Sequence, residues 1–389
     1  MRTIQMINVN FGDCFIIKDD SHGMVVDCGS RDAISCLATA IANIESDASI
    51  DKALLTHFHD DHYKGFNLLA ANGRKQFSEI ILPNVYSSAG NMLKQSIISL
   101  LFLSKTWQAW QAAFHHVTAL VRFDKLLSPN GHFTFASDGA SFFHGSSTYN
   151  VLSPRIDDVT NFGDVIFLGE LENLIARIPN LHEHYNIIVE TLLSQTGLID
   201  NYQRDGTIAM LRKMGDTINS DRFESAVSYF TSQEAKNQID RVISELGESY
   251  KKNIAKWREK MKYEWNKLSL VFKSEDNAIL MTGDVSHDVW INHIRPKYFK
   301  LGEVVKIFKA PHHGTKSYFC CGFPINRDTK ILISHNKYRN YGLITEMYPI
   351  QYAGAEMHCT NRRGCEFLRK SGAACTRAGC ITPVTNFSF

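Results

Sequence analysis

The stretch Thr56-His57-Phe58-His59-Asp60-Asp61-His62, which follows the apolar run Ala53-Leu54-Leu55, has the form His-x-His-x-Asp-His. Four potential metal ligands fall within six residues. Imidazole and carboxylate at this density suit zinc or another divalent cation. The spacing has a physical logic. Side chains two apart on an extended chain point to the same side, so His57 and His59 can reach one metal together. Asp61 and His62 are neighbours and need a turn or a helix start to converge on a second. A polar loop that happens to hold three histidines is the bland alternative. Against it, another acid and a histidine pair recur where one site would need them.

Those partners lie far downstream. Ala278-Ile279-Leu280-Met281-Thr282-Gly283-Asp284 reads as a strand whose end presents a carboxylate. Val304 to Thr315 reads as another strand, ending in Ala310-Pro311-His312-His313-Gly314-Thr315. Near the N-terminus, Met24-Val25-Val26-Asp27-Cys28-Gly29 reads as a third, ending in Asp-x-Gly. Acidic and imidazole groups thus recur at strand ends, where sites of layered α/β folds commonly gather.

With these residues the chain resembles the metallo-β-lactamase-fold hydrolases. In motif it is similar to the metallo-β-lactamase-like domain of bacterial DNA-uptake channel proteins and their soluble relatives. The finer likeness rests on Gly12-Asp13-Cys14, Lys267-Leu268-Ser269-Leu270-Val271-Phe272, the Thr-Gly-Asp run and Ala-Pro-His-His-Gly-Thr. The resemblance covers residues 1–85 and 265–335 well, and the middle and the C-terminal end poorly. It implies a four-layer αβ/βα sandwich with helical insertions. It also implies two zinc ions per chain, with Mn²⁺ as an alternative metal. His57 and His59 would hold the first; Asp61 and His62 would hold the second; Asp284 would bridge. One of His312 and His313 would complete the second site, with His312 favoured. The family places a further histidine on the first metal, between the main block and the bridging Asp. His144, in Ser141-Phe142-Phe143-His144-Gly145, is the best candidate for that place, with an ordinary loop histidine as the alternative reading. Asp27 would buttress a ligand loop or a metal-bound histidine. Asp61 would also orient the attacking water, and Lys316 or His335 would stabilise charge developing on the substrate.

Composition bounds the rest. The chain has 389 residues, enough for one large domain with insertions or for two. A net charge of +2 announces neither nucleic acid nor membrane. The start goes straight into strand-like alternation with no signal-peptide pattern. The apolar window Ile97 to Leu103 is too short to span a bilayer. A cytoplasmic protein is the natural expectation. Cys14, Cys28 and Cys36 read as buried thiols. Cys320, Cys321, Cys359, Cys365, Cys375 and Cys380 form no Cys-x-x-Cys pair and read as free thiols of a reducing compartment. A structural zinc from Cys359, Cys365, Cys375 and Cys380, with His358, is the alternative.

Residues 1–30 break like three strands, 32–47 read as a helix, 52–57 as a strand, Tyr63 to Ala71 as a helix and Ser78 to Pro83 as a strand. Residues 88–127 look helical, with Trp107, Trp110, Phe114, Val117 and Val121 on one stripe. Strands return at His132 to Ala136 and Tyr149 to Leu152, and 165–265 look helical and polar. Ile254, Trp257, Met261 and Trp265 form one stripe there, with lysines on the other faces. The expected divisions are 1–87 and 266–345 as two halves of the core domain, with core strands in 131–160. Helical insertions fall at 88–130 and 161–265, and a Cys-rich basic segment at 346–389. Inserts between metal motifs tend to cap a site and set substrate choice. The basic residues Arg362, Arg363, Arg369, Lys370 and Arg377 could contact phosphates.

These readings favour a nuclease or phosphodiesterase acting on DNA, RNA or a nucleotide-like molecule through a metal-activated water. Hydrolysis of a lactone, thioester or β-lactam is the second possibility. The third is a partner-dependent effector subunit of a bacterial defence complex, with the helical insertions as a surface for a protein partner or a second copy.

Overall fold

The structure, a computed structural model, describes residues 2–84, 123–160, 165–191, 221–230, 232–249, 251–253, 256, 266–335, 347–360 and 384–389. The chain divides into two compact units. The first comprises Met1–Asn84, Lys125–Arg155 and Asn266–Phe389; the second comprises Val85–Asp124 and Ile156–Trp265.

In the first unit, β1 (Arg2–Ile7), β2 (Cys14–Asp19) and β3 (His22–Cys28) form an antiparallel meander. The chain then forms helix α1 (Ala38–Ser46), β4 (Ile50–Leu54), helix α2 (Asp60–Asn72), β5 (Phe77–Pro83) and β6 (Leu127–Ala136). Strands β3 to β6 pair in parallel. Their apolar runs follow from this, because parallel strands are covered on both faces. The hairpin β7 (Ser141–His144) and β8 (Ser147–Ser153) begins a second sheet, continued by β9 (Val271–Ser274) and β10 (Ile279–Met281). Then β11 (Ile307–Lys309), β12 (Lys330–Ile333) and β13 (Glu356–Cys359) add in parallel to β10. The last strand, β14 (Val384–Ser388), returns to pair with β1. Among the described residues two seven-stranded sheets result, in the orders β14-β1-β2-β3-β4-β5-β6 and β13-β12-β11-β10-β9-β8-β7.

The layers follow from where alternate side chains go. Ile4, Phe15, Met24, Leu54 and Ile81 of one sheet meet Tyr149, Phe272, Met281, Ile307 and Leu332 of the other in a core between the sheets. The opposite faces of the second sheet, with Leu280, Phe308, Ile331 and Met357, bury Trp290, Ile294, Tyr348 and Tyr352 from flanking helical segments. On the outer face of the first sheet, Phe66 of α2 packs edge-on against Phe77, and Gly65 lies against Cys28. The expected four-layer sandwich is therefore present. Segment 346–389 gives an edge strand to each sheet. On β13, Cys359 faces the outer core while His358 packs on Phe387 at 4.5 Å. Strand alternation thus turns these two residues away from each other, and they cannot share one structural zinc; Cys365, Cys375 and Cys380 lie outside the described residues.

The second unit is helical where described, with Val165–Ala176, Asp221–Phe230 and Gln233–Glu245. Ser232 caps the last of these by accepting from the Ala235 N–H at 3.1 Å. The stripes through Trp107 and Trp257, and the basic run from Arg362 to Arg377, lie outside the described residues. Among the described residues, no helix is long and apolar enough to cross a membrane.

Candidate metal centre

Parallel strands from both sheets end at one edge. Beyond β3, β4, β10 and β11 come Gly29, His57 to His62, Asp284 and His312-His313. The edges are tied across the sandwich by Leu270 N–H to Thr56 O at 2.8 Å and by a short bond from Ser334 Oγ to Gly12 O.

The turn after β3 holds the loop from His57 to His62. Asp27 adopts a left-handed backbone (φ 55°), and its carboxylate accepts from Thr56 N–H and Thr56 Oγ1, both at 2.7 Å. Asp13 N–H donates to Asp61 O at 2.8 Å, and Gly29 N–H donates to Asp13 O at 3.0 Å. A Cβ at Gly29 would fall 2.2 Å from His62 N, and one at Gly12 would fall 2.1 Å from Gly29 O. Only glycine lets these backbones stack, which explains both the Gly-Asp and the Asp-x-Gly motifs. Helix α2 then starts at Asp60 and turns Asp61 and His62 inward, fully buried.

One oxygen organises the site. Asp284 Oδ2 faces four imidazole nitrogens: His62 Nε2 at 3.3 Å, His57 Nε2 and His313 Nε2 at 3.8 Å, and His312 Nε2 at 3.9 Å. The opposite nitrogen of each ring is held. His62 Nδ1 lies 2.8 Å from Asp27 and His57 Nδ1 lies 3.1 Å from Thr56 Oγ1. His313 Nδ1 donates to Ser334 O at 2.9 Å, and His312 Nδ1 lies 2.7 Å from Thr315 Oγ1. His313 Nε2 also meets Asp61 Oδ2 at 3.3 Å, and His59 Nδ1 lies 3.0 Å from His57 Nε2. Two triads, His57/His62/Asp284 and Asp61/His62/His313, each keep three ligand atoms within 4.8 Å of one another. A third triad, Asp13/Asp27/His62, lies on the Nδ1 side of His62 and serves as its hydrogen-bonding support.

Two cations sit among the carboxylates. Lys309 Nζ is buried and contacts Asp13 Oδ2 at 2.6 Å, Gly283 O at 2.7 Å and Asp284 Oδ1 at 3.4 Å. Arg31 Nε pairs with Asp61 Oδ2 at 2.8 Å and is 23% exposed, so it stands at the rim.

The charges set the protonation states. Burial would raise the carboxyl of Asp284, but His62, His313 and Lys309 outweigh it and hold it well below the usual range. Asp61 is held well below by Arg31, His313 and His62, again against burial. Burial opposes the imidazolium of His313, but Asp284 and Asp13 outweigh it and raise its pKa to about 9. His62 is likewise raised, by Asp284 and Asp27 against burial. Burial keeps His57 neutral, lowers His59 to about 4 and lowers His312 to about 3.

The donor set fits divalent metal. Among the described residues, the buried Asp61 Oδ1 has no hydrogen-bond partner, and His62 Nε2 and Asp284 Oδ2 make only the long ion-pair contacts given above. Such atoms inside a protein are costly unless paired or bound to metal. Because His62 and His313 hold protons near neutral pH, a metal must displace them. Zinc binding near pH 7 is expected to release protons, and its affinity to fall as pH is lowered. Calorimetry in buffers of different ionisation heat measures this, and a binding heat independent of the buffer would contradict it. In the metal-free protein the same raised pKa values act in the opposite sense. Their stabilisation is full below the ordinary histidine range and is lost as pH rises through about 9.

The structure brings His57, His59, Asp61, His62, Asp284, His312 and His313 together, with Asp27 behind His62. It places three other residues differently. His144 ends β7, with Nε2 3.0 Å from Ile17 O, near the far end of β2 from Asp13. It cannot complete the first metal site, because hairpin pairing carries it to the opposite end of the sheet. Lys316 is exposed, and among the described residues no hydrogen bond or ion pair joins it to the cluster. His335 is buried beside Phe11, and burial lowers its pKa to about 3, so it brings no positive charge to a substrate. Lys309, Arg31 and Asp13 hold the roles that sequence reasoning missed. The signal for Lys309 was a lysine inside an apolar strand, immediately before the Ala-Pro-His-His motif.

Residues 7–76 match the family model of the metallo-beta-lactamase superfamily. No curated protein matches the chain. Among solved structures it is similar to the metallo-beta-lactamase fold protein YhfI from Bacillus subtilis, at 10% identity and a TM-score of 0.39 over 100% of both chains. It is also similar to BJP-1, a subclass B3 metallo-beta-lactamase of Bradyrhizobium japonicum, at 15% identity and a TM-score of 0.21, covering 38% of this chain and 46% of that one. MEM-A1, a subclass B3 metallo-beta-lactamase from a soil metagenome library, gives 15% identity and 0.21, covering 38% and 48%. The chain thus spans about half the length of these two lactamases. The likeness to the metallo-beta-lactamase superfamily is carried by residues 7–76, and the cluster is one that could hold divalent metal.

Proposed function

We propose that the protein is a metal-dependent phosphodiesterase or nuclease that holds two divalent cations, zinc or manganese, around Asp284. The observation that carries the hydrolase reading is the single buried carboxylate oxygen faced by four oriented imidazoles. His57, His59, His62, His313, Asp61 and Asp284 would hold the cations. When bound, these would activate a water and polarise the attacked group.

Charge balance favours an anionic substrate. Asp13, Asp27, Asp61 and Asp284 are buried together, opposed by Lys309, Arg31 and the protonated His62 and His313. Two divalent cations that displace the two imidazole protons would turn this balance into an excess of positive charge. A phosphodiester uses that excess, whereas a neutral ester does not. The chain's own part is positional. Asp61, clamped by Arg31 and His313, would orient the attacking water as well as bind metal. Arg31, at the rim beside Asp61, would neutralise a phosphate oxygen.

The test is cleavage of single- and double-stranded DNA and RNA, alongside a small phosphodiester reporter and ester and lactone reporters, with Zn²⁺ or Mn²⁺ added. His59→Ala is the inactive control. Arg31→Ala is expected to lower kcat/KM on the phosphodiester by about 100-fold and on the ester by less, through the loosened Asp61 alone. Turnover of the ester or lactone alone, insensitive to Arg31→Ala, would replace this reading with carbonyl hydrolysis.

A further inference from the structure

We infer that His312 and His313 are both metal donors, so that the centre takes five imidazoles rather than four. This rests on the reading of the cluster as a metal centre and is independent of the substrate. The resemblance called for one residue of the pair, and adjacent residues ordinarily point apart. Here both adopt left-handed backbone, with φ 44° at His312 and 56° at His313. Two consecutive residues other than glycine in this region are costly. The result is that both Nε2 atoms face the same buried oxygen, Asp284 Oδ2, at 3.9 and 3.8 Å.

The tautomer of His312 is fixed by its neighbours. Thr315 Oγ1 donates its hydrogen to His312 O at 3.0 Å. The same oxygen, 2.7 Å from His312 Nδ1, is then left to accept. His312 Nδ1 therefore carries the proton, and Nε2 presents its lone pair toward Asp284. The ring is stacked on Tyr318, at 4.0 Å between centroids and 16° between planes. Asn266 Nδ2 in turn donates to Tyr318 OH at 2.6 Å. Metal-bound histidines typically have this arrangement: one nitrogen donates to an acceptor and the other is aimed at the ion. A donor is also needed. His144, the residue offered for the remaining imidazole, is held at Ile17 O.

The experiment is zinc titration of the full chain against a chelator that buffers free metal, with elemental analysis of the dialysed protein. It is run on wild type, His312→Ala, His312→Gln and Thr315→Val, with circular dichroism to confirm folding. Wild type is expected to hold two zinc ions. Either His312 variant is expected to weaken one of them at least about 100-fold, and Thr315→Val about tenfold. Cobalt substitution adds a spectroscopic reading: the visible absorption of one Co²⁺ should change in the His312 variants. Should a His312 variant fail to fold, Thr315→Val keeps its acceptor-free imidazole in place and carries the test. Unchanged stoichiometry and affinity in folded His312→Ala, with or without loss of hydrolysis, would overturn the assignment and make His312 a substrate-facing residue. Because no substrate is involved, failure of the phosphodiester reading leaves this result intact.

Discussion

Asp284→Ala is expected to abolish hydrolysis and to empty the metal centre. The carboxylate is the common neighbour of His57, His62, His312 and His313 through Oδ2, and of Lys309 through Oδ1. Its removal takes away the oxygen shared by both triads' imidazoles. Metal activation supplies several kcal/mol to such reactions, so the rate should fall by at least about a thousandfold. A stability effect accompanies it. His62 and His313 lose the charge that raises their pKa, and Lys309 loses one of its two anionic partners. Removing one partner of a buried ion cluster costs about 3–5 kcal/mol. Asp284→Asn keeps the shape and separates the charge effect from the cavity. Steady-state rates and unfolding of the metal-free variants measure both effects; near-wild-type turnover in folded Asp284→Asn would contradict the account.

Lys309→Met is the second large effect. The substitution keeps an apolar stem of similar length and deletes a cation that is fully buried between Asp13 and Asp284. Burial pulls the ammonium down, but these two carboxylates hold it charged. Without it they are left close together with less counter-charge. A loss of about 3–5 kcal/mol is expected, a fall of roughly 5 °C in Tm for a chain of this size. Adding Asp13→Asn to Lys309→Met should recover part of that loss, since the orphaned anion is then gone. The single Asp13→Asn should itself destabilise, by leaving Lys309 under-paired. Strong non-additivity across the four proteins is the expected signature of a coupled pair. Simple additivity of the two losses would mean that the lysine only fills space.

The legible part of the site was the part written in short-range pattern. His57, His59, Asp61 and His62 are adjacent in the chain. Asp27, Asp284 and the His312-His313 pair each end an apolar run, so strand periodicity placed them at a sheet edge. The Asp13–Lys309 pair is different in kind: its members are far apart in sequence, and an isolated lysine in a strand reads as solvent-facing until the second sheet supplies its partner. Arg31 had the same difficulty. The double left-handed turn at His312 and His313 contradicts the local rule that neighbours diverge, so the sequence reading had to choose one histidine. His144 was offered as the remaining metal ligand, because a four-residue hairpin strand leaves little periodic signal to show which end of the sheet it reaches. Edge strands were also hidden. Strand β14 pairs Thr3 with Ser388, across nearly the whole chain, and no window of sequence contains both.

The central claim is that this edge of the sandwich is a two-metal centre built on Asp284. Elemental analysis of the purified chain, dialysed against buffered zinc and measured beside Asp284→Asn, tests it most directly. The account predicts two zinc ions per wild-type chain, and one or none at the same free zinc in the variant. One weakly held ion in wild type, unchanged in Asp284→Asn, would contradict it.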